Sequence, residues 1–149
     1  MDMMLQVLAP ELLILIAAMT LLVGDAFWGH RYKALTFQLT LASIVLTALM
    51  ILFSFSTTSV QLFNGAFIRD GVADVLKLSM LFMTFFAFLF ARDYLVQRNI
   101  DRGEYYVLGL LSLLGMMVLA SSYDMVTLFM GLEIMSLALY AMIDRKSVV

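Results

Sequence analysis

No cysteine occurs anywhere in the chain, so neither a disulfide framework nor a thiolate metal site can form. Histidine is almost as scarce. His30 is the only one, which excludes a His-ligated haem pair or a His-rich metal centre within these residues. One proline and eight glycines leave little room for long irregular segments. Charge is thin: Asp, Glu, Lys and Arg make up 13% of the 149 residues, against about 25% in a typical soluble domain. No basic stripe interleaved with aromatics is present, so nucleic acid is not an expected partner. What the chain has in abundance is apolar surface, with 64% hydrophobic residues and a mean hydropathy of +1.02. That balance identifies an integral membrane protein whose solvent is the lipid bilayer.

The apolar residues fall into runs near 5–27, 34–53, 72–90, 104–120 and 121–143. Each approaches the ~20 residues that cross a ~30 Å hydrocarbon core at ~1.5 Å per residue. The fold class is therefore all-α, with about five transmembrane helices. The first run is not a signal peptide, because residues 1–15 hold two acids, Asp2 and Glu11, and no Lys or Arg. Pro10 and Glu11 are expected in the first turns of that helix, where proline is tolerated and a carboxylate complements the helix N-terminus. Trp28 suits an interfacial anchor beside the short loop holding Arg31 and Lys33. Gly109, Ser112 and Gly115 are spaced for close helix contact, and the thirteen methionines for filling gaps between helices.

Cations are divided unevenly between the two membrane faces. The loops after the first and third runs hold Arg31, Lys33, Arg92, Arg98 and Arg102, whereas the loops at the other face hold only Arg69. Positive-inside then places the N-terminus outside and the two basic loops in the cytoplasm. Lys77 lies about a turn and a half inside the third run. It either snorkels or pairs with Asp74 one turn back, or it is a buried cation within a charge network.

The last run carries the chemistry. In SSYDMVTLFMGLEIMSLALYAMI, Glu133 lies ~13 Å of helix beyond Asp124, near the bilayer midplane. An ionisable group there costs roughly 2.5–3.5 kcal/mol on insertion scales, so it must face other helices or water. Helical spacing puts Ser136 and Tyr140 on its face, and Gly131 on the opposite one. Two roles fit: a protonated acid bonding between helices, or a proton-relay carboxylate whose affinity is set by burial against a nearby cation.

Several segments together resemble one family. APELL in the first run, FNGAFIRDGVADVLK entering the third, EYYVLGLLSLLGMMVLASS in the fourth and DMVTLFMGLEIMSLALYAM in the fifth are similar to subunit N of the bacterial proton-pumping NADH-quinone oxidoreductase, respiratory complex I. The likeness covers nearly all of residues 1–143. It implies the N-terminal transmembrane bundle of a larger antiporter-like helix bundle in the bacterial inner membrane, where proton translocation is coupled to electron transfer from NADH to quinone. It also implies that Glu133 is the relay glutamate, whose lysine partner lies on a seventh helix, with Lys77 and Asp74 as lesser members. No cofactor is expected in this chain; NADH, flavin, iron–sulfur clusters and quinone would belong to partner subunits. The other membrane-arm subunits are the expected partners. A cation/proton antiporter subunit and a non-transporting membrane scaffold are the alternative readings.

The resemblance stops at Ile143. Residues 144–149, DRKSVV, match what one reading frame of a common sequencing adapter encodes before a stop codon. They are expected to be a non-native tail, with a basic cytoplasmic helix end as the alternative reading, and the five runs alone are not expected to translocate protons.

Overall fold

The computed structural model describes residues 2–55, 57–99 and 102–147. Five long helices dominate it: α1 (Asp2–Trp28), α2 (Lys33–Phe53), α3 (Gly71–Gln97), α4 (Gly103–Ser121) and α5 (Met125–Ser147). All five are long and apolar enough to cross a membrane, as the runs predict. Short connections join successive helices except between α2 and α3. A 3-10 turn (Gly29–Tyr32) joins α1 to α2, and a brief bend at Ser122–Asp124 joins α4 to α5.

Three boundaries differ from expectation. α1 begins at Asp2, which moves Pro10 and Glu11 from the first turns into the helix interior. α3 runs on to Gln97, so most of the loop expected over residues 91–102 is helix; Ile100 and Asp101 lie outside the described residues. Arg92 thereby sits on the helix, its guanidinium 4.3 Å from the centroid of the Phe37 ring on α2, a cation–π contact. α5 continues past Ile143 through Asp144 to Ser147, while Val148 and Val149 lie outside the described residues.

The segment expected as a loop between α2 and α3 contains a small hairpin. β1 (Val60–Leu62) and β2 (Phe67–Arg69) pair antiparallel, with Val60 opposite Arg69 and Leu62 opposite Phe67. Phe63, Asn64 and Gly65 all adopt positive φ at the turn; Gly65, at +89°, takes it without a Cβ penalty. Leu62 and Phe67 bury against Val7 of α1, and Phe67 also bridges to Ser122 beside α5. Asp70 then caps α3, its Oδ1 accepting from the Ala73 N–H at 2.7 Å.

α4 is the centre. It touches all four other helices, and eleven of its nineteen residues are buried. Tyr106 packs edge-on against Phe37 and Phe88 at 5.6 and 5.7 Å between centroids. α2 can turn a hydroxyl-bearing face inward because each hydroxyl bonds back to its own helix. Thr40 Oγ1 donates to the Thr36 carbonyl at 2.7 Å, Ser43 Oγ to Thr40 at 2.7 Å and Thr47 Oγ1 to Ser43 at 2.8 Å.

α5, by contrast, packs almost wholly on α4, and among its described residues only Gly131 and Ala138 are buried. A Cβ on Gly115 would lie 2.6 Å from the Met135 nitrogen and 2.8 Å from the Gly131 carbonyl oxygen, and backbone cannot yield as a side-chain tip can. Small residues here let two helices approach backbone to backbone. Gly115→Leu is expected to force α4 and α5 apart and to destabilise the fold by about 1–3 kcal/mol or more. Gly24→Ala, whose added Cβ would rest 3.5 Å from the Trp28 ring, is expected to be neutral or slightly stabilising. Thermal melting of the detergent-solubilised full-length subunit distinguishes the pair; equal melting of both variants would refute the close-contact account.

Candidate functional site

Two groups of ionisable side chains lie within the helices, and the fold treats them in opposite ways. The first gathers α1, α3 and β2 at the membrane end where the N-terminus lies. Lys77 is fully buried, and it forms an ion pair with Glu11, which is 5% exposed. Its Nζ also lies 5.4 Å from the centroid of the Phe67 ring. Asp74 is fully buried too, but its partner is Arg69: Nε donates to Oδ1 at 3.1 Å and to Oδ2 at 3.3 Å.

The two local pairings expected from the sequence are therefore replaced. Lys77 does not take Asp74 one turn back, because the guanidinium of Arg69 already engages both oxygens of that carboxylate. Glu11 does not serve the N-terminus of α1, because the helix starts more than two turns earlier and buries this side chain toward α3. Of the three readings, the buried cation within a charge network is the one the fold adopts for Lys77.

Pro10 explains why an arginine stands here. A proline inside a helix has no N–H, so the carbonyl four residues earlier loses its partner. That carbonyl belongs to Gln6, and Arg69 Nη1 donates to it at 3.1 Å. Arg69 Nη2 donates to the carbonyl of Ser54, the C-cap of α2, at 3.3 Å. One planar fork thus fills the gap in α1, closes the end of α2 and neutralises Asp74 on α3.

Glu133 has the opposite setting. α5 lies on α4 through Gly131 and Ala138, so Glu133 points away from the bundle and is exposed. Among the described residues it makes no hydrogen bond or ion pair, from Ser136 and Tyr140 or otherwise. The fold does not bring it together with Lys77 and Asp74.

Sequence reasoning missed two participants, Glu11 and Arg69. The available signal was a balance of charge at one depth: α1 and α3 start at the same end, and each carries an acid within about three turns of its start, with Lys77 and Arg69 the cations near them. A third carboxylate, Asp25, lies against the N-terminus of α4, where a Cβ on Gly103 would collide with it. It complements the positive end of that helix and joins it to the last turns of α1.

Removing Arg69 leaves the Asp74 carboxylate buried without its counter-charge and two carbonyls without donors. Arg69→Gln is expected to destabilise the subunit by about 3–5 kcal/mol, and Arg69→Lys to recover only part of that, since an ammonium cannot serve three acceptors in one plane. Melting temperature and the level of subunit retained in membranes are the readouts. A wild-type melt for Arg69→Gln would refute the account.

No family model matches the chain. Among curated relatives, the NADH-quinone oxidoreductase subunit N of Hydrogenovibrio crunogenus is 42% identical over 137 residues, covering 92% of this chain and 29% of that protein. The subunit N of Thioalkalivibrio sulfidiphilus is 42% identical over 134 residues, or 90% and 28%. That of Nitrosomonas europaea is 35% identical over 142 residues, or 94% and 30%. A solved structure of respiratory complex I from Thermus thermophilus with bound aureothin superposes with a TM-score of 0.74 at 23% identity, covering 89% of this chain and 28% of that one, and shares the fold. With five bilayer-length helices in that arrangement, the chain is a multi-pass membrane protein homologous to NADH-quinone oxidoreductase subunit N, spanning less than a third of its relatives' length.

Proposed function

We propose that this chain is part of a membrane-arm subunit of respiratory complex I, where it takes part in proton translocation driven by electron transfer from NADH to quinone. The observation that carries the reading is the placement of Glu133. A carboxylate near the middle of a membrane span is turned outward from the four-helix core, with no partner among the described residues. Facing lipid it would be strongly unfavourable, so further protein or a hydrated cavity covers it in the assembled subunit. The chain spans 28–30% of its relatives, and the remainder of such a subunit is the natural cover.

In this role Glu133 is the relay carboxylate. It gains or loses a proton as the field of neighbouring charges changes, since an opposite charge nearby favours the ionised form and desolvation disfavours it. Lys77 and Asp74 are lesser members of the same charge system, held at the far side of α4 by their own partners. Flavin, iron–sulfur clusters and the NADH and quinone sites belong to other subunits on this reading, and the relatives' name favours it over an antiporter or a scaffold.

The decisive variant is Glu133→Gln in the full-length subunit, which preserves shape and removes the exchangeable charge. In membrane vesicles it is expected to lower NADH-driven proton uptake several-fold while the complex still assembles. Unchanged pumping in a fully assembled complex would remove Glu133 from the mechanism.

The same reading orients the chain with its N-terminus and hairpin outside and the ends bearing Arg31, Lys33, Arg98 and Arg102 in the cytoplasm. In a cysteine-free background, Thr57→Cys is expected to react with an impermeant maleimide added outside intact cells, and Gln97→Cys only after permeabilisation. The reverse pattern would invert the topology.

A further inference from the structure

We propose that Glu11 and Lys77 form a second protonatable site in this chain, a buried acid–base pair that holds water and exchanges one proton with it. The inference goes beyond the role given to Glu133 and stands or falls without it.

Burial is the first ground. Lys77 has no exposed surface and Glu11 almost none, yet the contact between them is far from meeting their hydrogen-bonding capacity. An ammonium has three N–H donors and a carboxylate about four acceptor positions. Among the described residues, Lys77 Nζ meets Glu11 Oε1 alone, and Glu11 Oε2 has no side-chain partner. Desolvating an ion pair is repaid only when the remaining donors and acceptors also find partners. An ordered water beside Nζ and Oε2 supplies them, since buried water settles where several polar groups converge without protein partners.

The surroundings define the site's charge. Glu11 comes from α1, Lys77 and Asp74 from α3, and Arg69 from β2. The sole charge of α2, Lys33, and the acid of α4, Glu104, lie at the opposite end. These four buried groups sum to zero, in two pairs, and the half-buried Asp70 caps the start of α3 beside them. A proton from hydronium can form an O–H bond at Glu11 Oε2, leaving water; Lys77 keeps its ammonium, and the site passes from neutral to +1. Release reverses the step. Both oxygens of Asp74 are already taken by Arg69.

Access begins at a cleft between α1, the end of α2 and the hairpin, which is lined mainly by apolar side chains and by Gln6, Ser54, Thr58 and Arg69. Arg69 is both a wall of this cleft and the partner of Asp74, one helical turn from Lys77. Its bond to the carbonyl freed by Pro10 fixes the turn of α1 that presents Glu11. Arg69 is thus the positioning residue of the site.

The test is infrared difference spectroscopy, acid minus neutral, on the assembled complex containing the full-length subunit. The wild type is expected to show a carboxylic C=O band that shifts in D2O, is lost in Glu11→Gln and is retained in Glu133→Gln. Glu11→Asp keeps the charge pair where the amide does not assemble, and the band should then move in frequency. Identical difference spectra for the wild type and either Glu11 variant would overturn the proposal and leave the pair a fixed electrostatic strut. Failure of Glu133→Gln to alter pumping would bear on the relay reading alone.

Discussion

A single guanidinium closes the end of the bundle where the chain begins. Arg69 donates to the carbonyl that Pro10 leaves open, to the C-cap of α2 and to both oxygens of Asp74. None of these acceptors could stay unpaired in an apolar medium, where each buried polar group left alone costs several kcal/mol. The hairpin exists to deliver this side chain. β2 ends at Arg69, Phe67 two residues earlier packs into the satellite cluster, and Asp70 caps the helix that follows. Helices α1, α2 and α3 meet through polar bonds here, while elsewhere they meet through apolar packing around α4.

The bundle accordingly has two kinds of contact. Around α4, aromatic and aliphatic side chains interlock, with Phe88 filling the space over Gly109 and Tyr106 seated between two phenylalanines. Between α4 and α5 the backbones themselves touch at Gly115 and Gly131. That second contact has a directional consequence. Because α5 spends its one narrow face on α4, the rest of its circumference is left outward, and Glu133 is on that side. Close packing of two small residues thus determines where the membrane carboxylate looks.

The contrast between the two acidic sites follows from the same geometry. Glu11 faces inward, is paired across the gap between α1 and α3, and lies near the hairpin end. Glu133 faces outward at mid-depth and meets no partner among the described residues. An intramembrane carboxylate with a counter-charge in place and one without a counter-charge among the described residues are different electrostatic objects, even within one short chain.

Helix number, approximate span limits and membrane residence were legible in the sequence, because bilayer thickness imposes a length on every apolar run and leaves little freedom. That Glu133 and Gly131 face opposite ways was legible as well, since two residues along a helix is a rotation of about 200°; that Gly131 is the side packed on α4, leaving Glu133 outward, only the fold decided. The identities of the ion pairs were not legible either. Local spacing favours Asp74 with Lys77, three residues apart, whereas the partners in the fold are Arg69 for one and Glu11, 66 positions back in the chain (77 − 11), for the other. Spacing along one helix reports only which groups can meet. Which of them do meet depends on the competing partners that other elements carry to the same depth, and here a proline on α1 and an arginine on a hairpin decided it.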